Sequence, residues 1–175
     1  MAKPTKAVKV RARKGVDPIP EGFHTVTPYL ALNGASEAIG WYARAFGAVE
    51  LERRLGPGGL ILHARLKIGD SLLMLSDIFP GSPHRSALDL GTSPVTLHLY
   101  AEDVNALWER AVAAGAKVLF PLADQFWGER YGQLVDPFGH HWSLASRKEI
   151  LSEEEHARRA QAWAQANQAQ GTPPT

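Results

Sequence analysis

The sequence predicts an α+β fold of two tandem βαβββ modules followed by a C-terminal helix, and three observations predict it. Short stretches in which polar and apolar residues alternate mark strands, and in each half one segment of helical period follows the first of them. Glycine- and proline-rich turns separate the later strands of each set. The order then repeats. Laying the second half on the first places Thr27 on Thr96, Leu30 on Leu99, Gly47 on Gly115, Ala48 on Ala116 and Leu75 on Leu144, with slips of only one residue. Two unrelated α+β units would explain the elements but not that coincidence.

Residues 1–17 read as a basic tail, since Lys3, Lys6, Lys9, Arg11, Arg13 and Lys14 precede the first acid. Nothing aromatic interleaves these charges, so a solvated arm is expected rather than a phosphate-binding one. The first module spans 18–78. After the extended lead-in around Pro18 and Pro20, His24 to Leu32 alternates as a strand, with Val26, Leu30 and Leu32 on one face. Asn33 to Phe46 carries Ile39, Tyr42, Ala43 and Phe46 at helical spacing, and Gly47 stands where a left-handed cap is wanted. Val49 to Leu55, Leu60 to Ile68 and Ser71 to Ser76 then form three strands of a meander.

A linker at 79–93, rich in Pro and Gly, separates this unit from a second module at 94–147. Val95 to Tyr100 alternates strictly, and Asp103 caps a helix whose stripe is Val104, Leu107, Trp108 and Ala111. Lys117 to Phe120, Tyr131 to Val135 and His140 to Ala145 are the remaining strands, with Asp136-Pro137-Phe138-Gly139 as the turn before the last. Residues 148–175 read as a helix and a polar tail. Ser152 and Glu155 have capping-box spacing, and Trp163 is expected to pack on the domain or on a partner.

Composition excludes several function classes. The chain has 175 residues, 45% of them hydrophobic, a net charge of +1 and no cysteine. It is long enough for a real core, and it offers no thiolate ligand, disulfide or cysteine nucleophile, leaving His, Asp and Glu as strong metal ligands. The near-neutral charge argues against a nucleic-acid surface over the whole molecule. Neither a membrane-spanning run of roughly 20 apolar residues nor a signal peptide is present, so a cytoplasmic protein is expected.

Several of these segments together resemble a known family. They are the run from Pro18 to Leu30, the helix with Trp41-Tyr42 and Ala45-Phe46-Gly47, the stretch Ile68 to Asp77, Leu97 to Asp103, and Val135 to Trp142. Each piece is weak, but the combination resembles the PhnB-like, glyoxalase-related branch of the vicinal oxygen chelate superfamily, which includes bleomycin-resistance proteins and extradiol dioxygenases. The resemblance covers about residues 18–155. It implies mixed sheets curled around a central cup and a homodimer. It also implies a divalent ion held by one side chain from the first and one from the last strand of each module. By motif those positions fall on Thr27, Met74, Thr96 and Ser143, where neutral hydroxyls and a thioether replace carboxylate and imidazole. The standard ion is therefore not expected, and no other cofactor is.

Strand parity names what shares the face of those positions: Tyr29, His63, Arg65, Met74, Thr96, His98, Tyr100, Tyr131, Gln133 and His141. Leu62, Ala64, Leu66, Leu97, Leu99, Trp142 and Leu144 belong to the opposite face. Phe126 and Trp127 precede the seventh strand, where they either close over a flat ligand or plug the sheet. Arg65 suits an anionic ligand or an internal ion pair. His63, His98 and His141 would be the donors of a nonstandard ion, and His98 beside a tyrosine is the candidate acid or base. Three functions stay open: a metal-independent small-molecule-binding protein, a metal-dependent or metal-free enzyme of lyase, isomerase or dioxygenase type, and a structural dimer with a vestigial pocket.

Overall fold

The computed structural model describes residues 15–168. The basic residues of 1–14 and the tail with Pro173-Pro174 lie outside the described residues. The chain runs β1 (Tyr29–Leu32), α1 (Ala35–Phe46), β2 (Val49–Leu55), β3 (Ile61–Ile68) and β4 (Ser71–Asp77). A short helix α2 (Ala87–Leu90) precedes β5 (Thr96–Tyr100), α3 (Val104–Ala113), β6 (Lys117–Asp124), β7 (Glu129–Val135), β8 (His141–Arg147) and α4 (Glu153–Gln168). Two four-stranded mixed sheets result, ordered β1-β4-β3-β2 and β5-β8-β7-β6. In each, the first strand pairs parallel with the last and the other pairs are antiparallel.

The repeat extends to register. Leu30 stands opposite Leu75 in the first sheet as Leu99 stands opposite Leu144 in the second. It extends to helix capping as well. Gly34, with φ of 80°, has no side chain to cap α1, and Asp77 at the end of β4 accepts the backbone N–H groups of Gly34 and Ala35 instead. At the matching place Ser146 of β8 accepts the N–H of Val104 and donates to the carbonyl of Ala101. A polar side chain of the last strand thus takes an otherwise unpaired donor of each helix start.

One continuous core lies between the modules. Leu30, Leu32, Ala64, Leu66 and Leu75 from the first sheet, Leu134, Trp142 and Leu144 from the second, and the apolar stripes of α1 and α3 form a single cluster. Trp41 donates its indole N–H to the carbonyl of Ala114 across the module boundary, and Phe46 packs on Trp142 with centroids 4.7 Å apart. Apolar side chains therefore face inward, and alternation sends the polar ones to the outer faces.

Several expectations change, among them the helix α2 inside the expected linker and the start of β7 at Glu129 rather than Tyr131. The first strand begins at Tyr29 rather than His24, leaving Val26 83% exposed outside the core. Pro28 has no N–H for a ladder, and only its carbonyl takes part, accepting the N–H of Met74. Leu62 is 51% exposed while Ile61 is buried, because the β2–β3 register slips there and the Ile61 N–H is drawn to the buried Asp77. The sixth strand continues past Pro121 to Asp124, accommodated by two register irregularities. The eighth begins at His141, so His140 belongs to the turn. Trp163 packs on Phe126, 5.3 Å away.

Candidate functional site

On the second sheet, strand parity puts Thr96, His98 and Tyr100 of β5 on the outer face. They stand beside Tyr131 and Gln133 of β7 and His141 and Ser143 of β8. His98 is the centre of this group. Its Nδ1 shares a 2.7 Å hydrogen bond with the Ser143 hydroxyl directly opposite in the β5–β8 register. Its ring lies edge-on to Tyr100 at 4.5 Å and stacks toward Tyr131 at 6.1 Å. Tyr131 accepts a hydrogen bond from the Gln133 amide and meets Trp127 at 5.5 Å. Glu129 completes the group, accepting from the Tyr100 hydroxyl at 2.6 Å and from the Trp127 indole at 2.9 Å. The hydrogen bond to that carboxylate, above all, raises the Tyr100 pKa, because it favours the neutral phenol.

Two cavities open onto His98. One of about 250 Å³ is lined by Val26, Thr27, Leu72, Thr96, His98 and Trp142. The other is larger and is bounded by Ser71, His98, Tyr100 and Arg110. The structure thus brings Thr27, Thr96 and His98 together where the lead-in and β4 meet β5. Phe126 is not part of this site, for it packs between Trp163 and His156 of α4.

The first sheet presents a separate constellation. Tyr29, Met74, Arg65 and Glu52 stand in register across its four strands. The Tyr29 hydroxyl is 3.3 Å from His63 Nδ1, and the Glu52 carboxylate lies 3.4 Å from His63 Nε2 and 3.7 Å from Arg65 Nη2. Arg65 is therefore engaged in a loose internal ion pair.

His63 is thus tied to Glu52 and Tyr29 on one sheet, while His98 is tied to Ser143 on the other and His141 stands opposite Thr96. Among the described residues no group of three His, Asp or Glu side chains is placed to hold an ion. The four positions suggested by resemblance do not fit a hard divalent ion either: Ser143 is buried with its hydroxyl tied to His98, and Met74 offers a thioether.

Sequence reasoning missed three acids. Glu129 shares the parity of Tyr131 and Gln133, and that signal was available. Glu52 reaches the face only through a register that bulges between Glu50 and Glu52. Asp136, read as a turn residue, is a buried hub. Its carboxylate accepts from the Tyr42 hydroxyl, the Trp142 indole and the backbone N–H groups of Phe138 and His140. Burial pushes its pKa up, but His140 and these donors outweigh it and hold the group below the usual carboxylate range.

Relatives share this architecture. The profile described as "Glyoxalase/Bleomycin resistance protein/Dioxygenase superfamily" matches residues 23–144. The uncharacterized protein Mb0911c of Mycobacterium bovis is 48% identical over 122 residues, covering 68% of this chain and 80% of that one. The crystal structure of PA1353 from Pseudomonas aeruginosa superposes with a TM-score of 0.60 at 27% identity, over 73% of this chain and 100% of that one. The PhnB protein from Bacillus cereus, at 19% identity and a TM-score of 0.58 over 70% of this chain and 99% of that one, shares the fold. Two sheets of one strand order, helices capped from equivalent positions and a profile spanning both modules together make this chain a member of the Glyoxalase/Bleomycin resistance protein/Dioxygenase superfamily.

Proposed function

We propose that the protein binds a small, flat organic molecule against the outer face of the second sheet, without the divalent ion that metalloenzymes of the superfamily use. The observation that carries this reading is the polar and aromatic cluster on that face, where Ser143, Tyr100 and Tyr131 hold the His98 ring in place; two cavities reach His98 from the edge of the sheet, and neither extends to Tyr131, Gln133 or Glu129. Aromatic faces supply stacking area, and Gln133, Glu129 and Tyr100 supply orienting polar groups, which is the composition of a ligand site. A homodimer belongs to the same reading. Val118, Leu119 and Phe120 leave large apolar side chains exposed on the edge strand β6, as an association surface would.

The test is a thermal-shift and calorimetric screen of planar aromatic compounds, run with and without EDTA, with metal analysis of the purified protein. Saturable binding that survives EDTA, weakens at least tenfold in His98→Ala and Tyr131→Ala, and returns the compound unchanged supports the proposal. EDTA-sensitive binding with a stoichiometric ion refutes it. Turnover of the compound, lost in His98→Ala, would establish acid–base chemistry at His98 instead.

A further inference from the structure

Another cavity, of about 330 Å³, opens between the edge strands β1 and β5, where the helix α2 and the turn before β8 close it. Leu30 and Leu97 on its wall belong to the core side of their sheets, opposite in strand parity to Met74 and Thr96. Leu90 and Val95, also on the wall, are 48% and 60% exposed, apolar surface that the chain itself leaves uncovered.

The wall is a built one. Ser86 and Asp89 form a reciprocal capping box on α2, and Ser86 is buried. α2 lies so close to the turn before β8 that a Cβ on Gly139 would stand 3.0 Å from the Leu88 nitrogen and 3.1 Å from the Ala87 Cβ. That contact seats Arg85, just ahead of the helix, and His140, just after the turn, on the walls of one cavity. Arg85 donates from Nη2 to the Asp89 carbonyl at 2.6 Å, and a guanidinium carries five donors. The His140 side chain is only 10% exposed, and its buried Nδ1 lies 3.5 Å from the Asp136 carboxylate with no hydrogen-bond partner among the described residues. An imidazolium donates from both ring nitrogens, so this ring is suited to stand between Asp136 and a second anion.

From this geometry we infer that the cavity is a binding site for a short aliphatic carboxylate. The ligand carboxylate takes the guanidinium of Arg85 and the Nε2 of His140, the ring nitrogen that Asp136 does not face. Its alkyl chain runs along Leu30, Leu90, Val95 and Leu97 and covers the apolar surface left open there, which supplies the hydrophobic part of the affinity. The site shares no residue with the cluster around His98, so the two fail separately.

The probe is hexanoate, with hexanamide as its neutral counterpart, titrated into the full chain by calorimetry and followed by amide NMR shifts. Hexanoate is expected to saturate, to bind more tightly than hexanamide, and to shift the signals of α2, Val95 and His140 rather than those of Tyr131 and Gln133. Arg85→Gln and Val95→Trp are each expected to weaken binding about tenfold, the first by removing the charge and the second by filling the cavity from an exposed wall. His140→Gln is expected to weaken it about fivefold, and His98→Ala to leave it unchanged. Thermal melts check that each variant is folded, and the Arg85 and Val95 variants decide the matter if His140→Gln is not. No saturable binding, equal binding of hexanoate and hexanamide, unchanged binding in Arg85→Gln or in Val95→Trp, or loss in His98→Ala overturns the inference. The last result would leave the site on the second sheet standing.

Discussion

Asp136 shows how much one residue of a turn can carry. Four donors converge on its carboxylate, two of them from aromatic side chains of α1 and β8, so it ties the second module's last turn to the first module's helix. Asp136→Asn replaces half of the acceptor with a donor and is expected to cost about 2–3 kcal/mol in urea unfolding, since buried donors then go unpaired. The pH dependence follows in sign. The folded-state pKa lies below the unfolded value of about 3.9, so the stabilisation is present above that value and is lost as pH falls through the folded pKa. Acid unfolding of the wild type should therefore contain a component that Asp136→Asn lacks. Burial and Asp136 raise the Tyr42 pKa, so its contribution is present below pH ~10 and is lost as pH rises through the folded value. Tyr42→Phe should blunt that alkaline loss.

Between elements, two features set the geometry and neither is a hydrophobic pattern. Asp77 ties the start of α1 to the end of β4 and also accepts the Ile61 N–H from β3. Asp77→Ala strands three backbone donors and should lower stability by about 2–4 kcal/mol, read by the urea midpoint at unchanged m. Gly132 allows α3 to approach β7. A Cβ there would stand 2.6 Å from Trp108 Cζ3 and 2.9 Å from the Leu122 Cα, so Gly132→Ala must move a ring and a backbone. A loss of roughly 1–3 kcal/mol is expected, with a changed near-ultraviolet signal from the displaced indole. Both strand interiors were legible from alternation. The close approach at Gly132 was not, because it depends on which helix covers which strand.

For the whole molecule, the core between the modules and the polar faces outside it follow from a single alternation read twice. α4 stands apart from that core. It docks through Trp163 on Phe126 and through Arg159, which pairs with Glu149 and Glu155. Hydrogen bonds from Arg158 and Arg159 bring the Glu155 pKa to about 2. Truncation before Ser152 should leave cooperative unfolding and both sheets intact by circular dichroism, with only a few degrees lost in Tm. Loss of all folded signal would show that α4 completes the core.

The sequence by itself determined the module repeat, the order of strands and helix within each module, the facing of strand residues away from the bulges of β2 and β3, and the weak donor chemistry of Thr27, Met74, Thr96 and Ser143. These depend on periodicity and on the chemistry of single side chains, both local properties. Tertiary structure alone decided that Ser143 is bound to His98, that His63 belongs with Glu52 and Tyr29 rather than with His98 and His141, and that Asp136 joins the modules. Those facts depend on strand register and on how the two sheets pack around α1 and α3. Alternation fixes the face a residue occupies only between bulges, and nowhere the neighbour it meets there.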